Sequence, residues 1–207
     1  MKKKINRLAV IMISLLTLAS PFYSTAQTKD KVWSIGPEIG VNLAKHGRDL
    51  DESNFKPGLL VGGFVTYSIR DTYGFTGKVL FSQKGYEYKN YKETLTYVEI
   101  PVVARLFFNR EGTFRPNIFA GPSFSFLTGA KAKVGSNDTE QINNYDKIYN
   151  GFDFGITGGL GLNFEIAPET RFLIDARYTH GLTDIHKSGA DVNNNAIGIT
   201  AGISFGI

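Results

Sequence analysis

The chain has 207 residues, with 23 glycines, 16 phenylalanines, 10 tyrosines, no cysteine and a formal charge of +4. This length fits one domain or two small ones and excludes a large multidomain machine. Without cysteine the chain has no disulfide, no thiolate metal site, no cysteine nucleophile and no acceptor for a thioether-linked lipid. With 42% hydrophobic and 20% charged residues it is not disordered by composition, and its glycines and aromatics favour β structure.

The first 26 residues have the three-part form of a secretory signal peptide. A basic leader over residues 1–7 precedes an apolar run over residues 8–19, and the small residues Ser24 and Ala26 mark the cleavage site. The apolar run is shorter than the roughly 20 residues of a spanning helix, which disfavours a membrane anchor. We predict a signal peptide over 1–26 and a mature domain over 27–207.

Removal of the signal peptide changes the charge balance. The leader holds four of the 23 basic residues and no acidic one, so 19 bases and 19 acids remain. Because affinity for nucleic acids rests on neutralising phosphates, this balance predicts no nucleic-acid partner.

From Trp33 onward, apolar residues alternate with small or polar ones, which is the period of a strand with unlike faces. Eight such segments follow in chain order, over residues 33–43, 58–69, 73–86, 94–108, 118–126, 152–166, 171–182 and 197–207. Pro37, Pro101 and Pro122 lie inside segments, where proline removes a ladder donor, so we predict β-bulges there. A bulge at Pro101 would shift the facing of residues 103–107.

Long and short connections alternate between the segments. The long ones cover residues 44–57, 87–93, 129–150 and 183–195, and the short ones cover 70–72, 109–114 and 167–170. A meander with long loops at one end and tight turns at the other is typical of outer-membrane barrels. We therefore predict an all-β fold, an eight-stranded antiparallel up-and-down transmembrane β-barrel in the cell outer membrane.

The composition of the two faces separates a membrane barrel from a soluble one. The apolar face carries hardly a charge, whereas the other holds glycine, small polar residues and ions, which fit the narrow lumen of eight strands. We place the apolar face toward lipid, where closure removes unpaired edges. Its aromatics then form two girdles: Trp33, Tyr67, Phe75, Phe108, Phe164, Phe172 and Phe205 near the turns, and Phe81, Phe126, Phe152 and Tyr178 near the loops.

The predicted lumen face carries five acids and five bases. These are Glu38, Lys78, Lys84, Glu99, Arg105, Asp153, Glu165, Arg171, Asp175 and Arg177. Unpaired charges inside a barrel are costly, so the balance predicts ion pairs. A proton or ion path is one interpretation, and a structural plug of the barrel's own side chains is the favoured one.

Several motifs resemble one family in order along the chain. Residues 97–101 read YVEIP, and later segments contain AGPS (120–123), FDFG (152–155) with GGLG (158–161), and DARY (175–178) with GLTD (181–184). Together they resemble the PorT-type outer-membrane β-barrel proteins of Bacteroidota. The resemblance implies an outer-membrane barrel of the "porin family" without demonstrated transport, and the namesake assists protein secretion. Ile207 departs from the aromatic residue that usually ends such chains.

Catalytic and metal sites are weakly supported by the sequence. His180 lies near the loop end of the apolar face, as in lipid-modifying hydrolases, but Phe152, Phe154 and other apolar residues surround it, without a nucleophile or an acid. Asp184, His186 and Asp191 match no defined metal spacing. We predict no enzyme activity, catalytic residue, cofactor or metal.

The leading hypothesis is a small non-enzymatic barrel with a structural or loop-mediated interaction role. Its partners would be outer-membrane lipid and, during biogenesis, the barrel-assembly machinery, and it would be a monomer. The stretch 129–150 would be a contact surface, with Lys131, Lys133, Asp138, Glu140, Asp146 and Lys147. The alternatives are a narrow pore for small solutes, an accessory of a secretion system and a lipid-modifying hydrolase.

Overall fold

The computed structural model describes residues 33–47, 55–69, 72–109, 112–135, 139–189 and 192–207. Its strands are β1 (Trp33–Gly47), β2 (Lys56–Ile69), β3 (Tyr73–Lys84), β4 (Glu87–Tyr88), β5 (Tyr91–Phe107), β6 (Phe114–Val134), β7 (Glu140–Gln141), β8 (Phe152–Ala167), β9 (Thr170–Gly181) and β10 (Asn193–Gly206). A short helix, α1 (Tyr145–Ile148), follows β7. The predicted signal peptide lies outside the described residues. Among the residues described, no helix is long and apolar enough to cross a membrane.

Eight long strands in the described part of the chain form a closed antiparallel ring. Each pairs with the next, from β1 through β2, β3, β5, β6, β8 and β9 to β10, and β10 pairs back with β1. At that seam Ser34 lies opposite Gly206, and Gly47 lies opposite Asn193. The two-residue strands β4 and β7 add to β5 and β6. The predicted eight-stranded barrel is confirmed.

The outward face of the barrel is apolar. The exposed fractions of Ile39, Val79 and Leu160 are 58%, 59% and 62%, whereas the charged residues that alternate with such positions are buried. A soluble monomer rarely exposes contiguous apolar patches beyond a few hundred Å². The outward face therefore requires an apolar surrounding, as the sequence predicts.

Aromatic residues of neighbouring strands meet near both ends of the outward face. At the end with the short connections (the turn end), the Trp33 and Tyr67 ring centroids are 4.7 Å apart, and Tyr67 lies opposite Phe75. At the other end (the loop end), Phe126 and Phe152 are 5.5 Å apart. These contacts agree with the two predicted girdles.

The predicted bulges at the three prolines are wrong. The pairing of β1 with β10 skips Gly36 and Pro37 and then resumes in the same register, and the ladders beside Pro101 and Pro122 also skip two residues without a shift. The missing N–H thus removes local ladder pairs, while the pairs on either side hold the register. Inside and outside alternate through Pro101, with Arg105 inward as predicted. The register shifts found in the described strands lie at Thr96/Tyr97 and Glu165/Ala167.

Strands β5 and β6 run further past the loop-end aromatics than the sequence predicts. Val98 pairs with Phe126 at the girdle, and the pairing continues upward to Tyr91 opposite Val134. A membrane-spanning strand needs about 9–11 residues, so residues 91–96 and 129–134 lie beyond the spanning part. We call residues 87–96, 129–134 and 140–141 the outer extension. Much of two predicted loops is therefore sheet.

Candidate functional site

Eight of the predicted lumen charges lie inside the barrel, each no more than 6% exposed. They are four acids and four bases, so the buried set has no net charge. They form two groups. We call Glu38, Lys78, Arg105 and Asp175 the turn-side cluster, and Lys84, Glu99, Asp153 and Arg177 the loop-side cluster.

Asp175 is the centre of the turn-side cluster. Arg105 donates two hydrogen bonds to the Asp175 carboxylate, from Nη2 to Oδ2 at 2.5 Å and from Nη1 to Oδ1 at 3.1 Å. Lys78 Nζ lies 3.0 Å from Asp175 Oδ2 and 2.7 Å from Glu38 Oε2. Arg105 Nε also donates to Thr76 Oγ1 at 3.0 Å. Strands far apart in sequence are thereby tied across the interior by charge-assisted bonds.

Glu99 is the centre of the loop-side cluster. Its Oε1 accepts a hydrogen bond from Arg177 Nη2 at 3.1 Å, and its Oε2 lies 3.4 Å from Lys84 Nζ. Lys84 Nζ is also 4.0 Å from Asp153 Oδ2, which accepts a bond from Asn194 Nδ2 at 2.9 Å. Glu99 belongs to the YVEIP motif, so the carboxylate of that motif points into the lumen.

Apolar side chains occupy lumen positions between the two clusters. On β3, Leu80 lies between Lys78 and Lys84 and is fully buried. On β5, Val103 stands between Arg105 and Glu99 and is 2% exposed. Charges and apolar side chains together fill the middle of the lumen, as expected for eight strands.

Glu165 and its partner Arg171 do not join either cluster. Arg171 Nη2 lies 2.7 Å from Glu165 Oε2, but the two side chains are 23% and 37% exposed. They stand at the turn end, where β8 meets β9. The sequence pattern assigns the correct face but not the depth, because alternation says nothing about where a strand leaves the interior.

Gly161 gives the turn-side cluster its space. A Cβ built on Gly161 would lie 2.6 Å from both Asn117 Oδ1 and Asp175 Oδ1. These contacts are far shorter than van der Waals distance, so any side chain here would displace Asp175 or its neighbour. This explains one of the alternating glycines of the sixth predicted segment.

An apolar cluster closes the loop end of the interior, which the sequence analysis missed. Leu95, Tyr97 and Ala130 of the barrel wall pack with Tyr149 and Ile185 of the outer loops, each at most 4% exposed. Further loop residues pack on them, namely Ile142, Tyr145 and Val192. We call these eight residues the outer cap. The loop residues of the cap show in the sequence only as apolar residues within stretches that are otherwise polar.

Backbone hydrogen bonds join the two loops that build the outer cap. Tyr149 and His186 form an isolated antiparallel β-bridge. On either side of it, Asn150 N–H donates to Ile185 O at 2.9 Å, and Lys187 N–H donates to Ile148 O at 3.0 Å. The predicted contact surface over 129–150 is therefore partly strand and partly cap. Within it Asp138 lies outside the described residues.

Glu93 is a buried carboxylate of the outer extension, above the spanning part of β5. Burial raises the pKa of Glu93. This effect outweighs the hydrogen bonds from the Tyr149 and Tyr91 hydroxyls, which lower the pKa. Burial, followed by the charge of Glu93, raises the pKa of Tyr91 to about 12, and the same causes raise the pKa of Tyr149. Both tyrosines therefore remain hydrogen-bond donors over the physiological pH range.

The residues considered for catalysis and metal binding have other contacts. His180 Nδ1 lies 2.6 Å from Asn195 Oδ1, and its ring stacks on Tyr178. The Asp184 carboxylate accepts backbone N–H bonds from His186 at 2.8 Å and Val192 at 3.3 Å. Asp191 lies outside the described residues, among which no group of three or more metal-ligating side chains occurs.

Comparisons with known proteins give the same architecture. A family model described as "Outer membrane protein beta-barrel domain" matches residues 25–187. Neisserial surface protein A has a similar structure, with a TM-score of 0.56 and 16% identity over 84% of this chain and 97% of that one. At this identity the similarity shows the fold alone. A search of curated proteins found no match.

Two further solved structures match with lower scores. OprG, an outer membrane protein from Pseudomonas aeruginosa, has a TM-score of 0.49 and 11% identity over 84% of this chain and 94% of that one. Ail, the attachment invasion locus protein of Yersinia pestis, was solved in complex with the heparin analogue sucrose octasulfate. It has a TM-score of 0.46 and 18% identity over 84% of this chain and 99% of that one.

Proposed function

This chain belongs to the outer membrane protein beta-barrel domain family and resides in the outer membrane, and from that premise we propose that it is a non-enzymatic, non-conducting barrel. Its rigid wall presents the outer loops and the outer extension for contacts at the cell surface. It acts as a monomer, with outer-membrane lipid as its surrounding and the barrel-assembly machinery as its partner during biogenesis.

The filled lumen, in which the eight charges of the two clusters balance, is the observation that supports this proposal. Four acids and four bases pair within the interior, and Leu80 and Val103 stand between the two clusters. The outer cap lies above them at the loop end. A solute would have to break buried ion pairs to pass, and each broken pair leaves a costly uncompensated charge.

We expect no steady conductance when the purified barrel is reconstituted into planar bilayers, because paired side chains fill the lumen. The measurement is single-channel current at both polarities, with a known porin inserted under the same conditions as the positive control. Steady current steps from the unaltered barrel would contradict the proposal and favour the narrow solute pore.

The proposed signal peptide gives a direct mass prediction. If residues 1–26 are removed on export, the protein extracted from membranes begins at Gln27, and its intact mass is that of residues 27–207. Mass spectrometry of the extracted protein measures this. A species that retains Met1 in the outer membrane would contradict cleavage at Ala26.

Membership of the PorT-type group of Bacteroidota is the finer form of this proposal. It is supported by the motifs in the described strands, because four of the eight buried lumen charges, Glu99, Asp153, Asp175 and Arg177, belong to these motifs. That group would bring a second role, as an accessory of protein secretion. Co-purification with secretion components from native membranes would favour this role over a purely structural one.

A further inference from the structure

The outer extension has two unlike faces. Glu93, Leu95 and Tyr97 point inward and are buried, which turns the alternate residues Lys92, Thr94 and Thr96 outward. The register of β5 against β6 pairs Thr94 with Lys131 and Lys92 with Lys133. Side chains opposite each other in a sheet share a face, so Lys92, Lys131 and Lys133 all point outward.

This outward face carries an uncompensated positive charge. Lys92 lies directly opposite Lys133, an arrangement of like charges that destabilises a strand pair. Glu87 Oε2 lies 3.1 Å from Lys92 Nζ, with both side chains about two-fifths exposed. Glu140 lies opposite Ala132 and therefore belongs to the inner face. Among the described residues of the outward face, Glu87 is the only carboxylate, against three lysines.

The three lysines lie above the apolar band of the barrel, and they point outward like the lipid-facing side chains of that band. Phe126 marks the loop-end girdle on β6, and Lys131 follows five residues later, with one residue taken up by the register shift. At about 3.3 Å per residue and a strand tilt of about 40°, Lys131 stands roughly 10 Å above that ring. A flexible lysine side chain can reach back toward the interface from this height.

We propose that Lys92, Lys131 and Lys133 bind the phosphate of an outer-leaflet lipid headgroup. The occupant is argued from charge and position: the face is positive, it continues the lipid-facing wall, and it points sideways rather than toward the aqueous space above the lumen. Ammonium groups bind phosphate as point charges, and Thr94 supplies a neighbouring hydroxyl. The bound phosphate would offset the repulsion between Lys92 and Lys133.

Native mass spectrometry of the full barrel in neutral detergent tests this proposal. Three lipids serve as probes. Lipid A and phosphatidylglycerol are anionic through their phosphates, and phosphatidylcholine is zwitterionic. We expect the unaltered barrel to retain lipid A over phosphatidylcholine, and the double variant Lys131→Gln/Lys133→Gln to lose about tenfold or more in lipid A affinity, because each lysine near an anionic surface contributes on the order of fivefold. The same double variant should lose affinity for phosphatidylglycerol as well, by less than it loses for lipid A.

The matched control is Lys147→Gln/Lys187→Gln, which removes the same charge from exposed loop residues. It should retain lipid A within about twofold, and Lys131→Arg/Lys133→Arg, which keeps the charge, should do so as well. Each variant is first checked for folding by the heat-dependent gel shift. Equal losses in the two glutamine variants would overturn the proposal. So would release of lipid A by inorganic phosphate or by soluble dextran sulfate at equal charge, since the site would then be a general anion surface.

Discussion

Asp175→Asn should destabilise the barrel by about 3–5 kcal/mol, which is the usual cost of removing one partner from a buried ion pair. Asparagine keeps the shape of the side chain but leaves the Arg105 guanidinium without its anion and Lys78 with Glu38 alone. Folded domains are commonly stable by about 5–15 kcal/mol, so this loss is a large fraction of the total. The measurement is the urea midpoint of reversible unfolding in lipid vesicles.

Glu165→Gln is the matched control for this variant. It removes the same charge from an ion pair on the neighbouring strand, but that pair is exposed at the turn end. An exposed pair contributes about 0–1 kcal/mol, so the urea midpoint should hardly move. Similar midpoints for the two variants would show that burial of the turn-side cluster does not contribute to stability.

Leu160→Arg should cost about 2–4 kcal/mol when the barrel is folded in lipid, the range for a cation placed near the bilayer midplane on a transmembrane strand. Leu160 points outward with 62% of its surface exposed, opposite Ile118 and Ala176 of the adjoining strands. Water would solvate an arginine here at almost no cost, but hydrocarbon does not. Unfolding in vesicles, again by urea, gives the free-energy difference.

Ile148→Arg is the comparison for the lipid face. Ile148 is a large exposed apolar residue as well, at 44%, but it lies in α1 among the outer loops. Its replacement should leave the unfolding free energy within about 0.5 kcal/mol, as for most surface changes. If Leu160→Arg were equally harmless, the apolar outward face would not be in contact with acyl chains.

The strand faces were predictable because alternation is a local property that survives irregularities. Pro101 is the clearest case, because a proline inside a strand predicts a bulge. The ladder instead skips two residues without a shift, and the next inward side chains are still Val103 and Arg105. Register depends on all the pairs of a ladder, so the loss of one donor does not shift it. The same local pattern assigned Glu99 and Asp175 to the interior without any knowledge of their partners.

The outer extension and the outer cap were not predictable in the same way. Alanine alternates with glycine or lysine over residues 129–133, a pattern without apolar contrast that resembles a polar loop. The cap joins Leu95, Tyr149 and Ile185, which are far apart in the sequence and meet only when the barrel has formed. Partner choice inside the lumen is non-local too, as the Lys78–Asp175 pair illustrates.

The pairing of β1 with β10 makes completion of this fold a single late event. Ile207 N–H reaches Trp33 O at 2.9 Å, so the ring is sealed by its earliest and latest strands. Until β10 has paired with β1, the sheet has two open edges with unpaired backbone N–H and C=O groups, which are too costly to place in hydrocarbon. Entry into the bilayer and sealing of the ring are therefore coupled steps, and no half-built version is stable within the acyl layer.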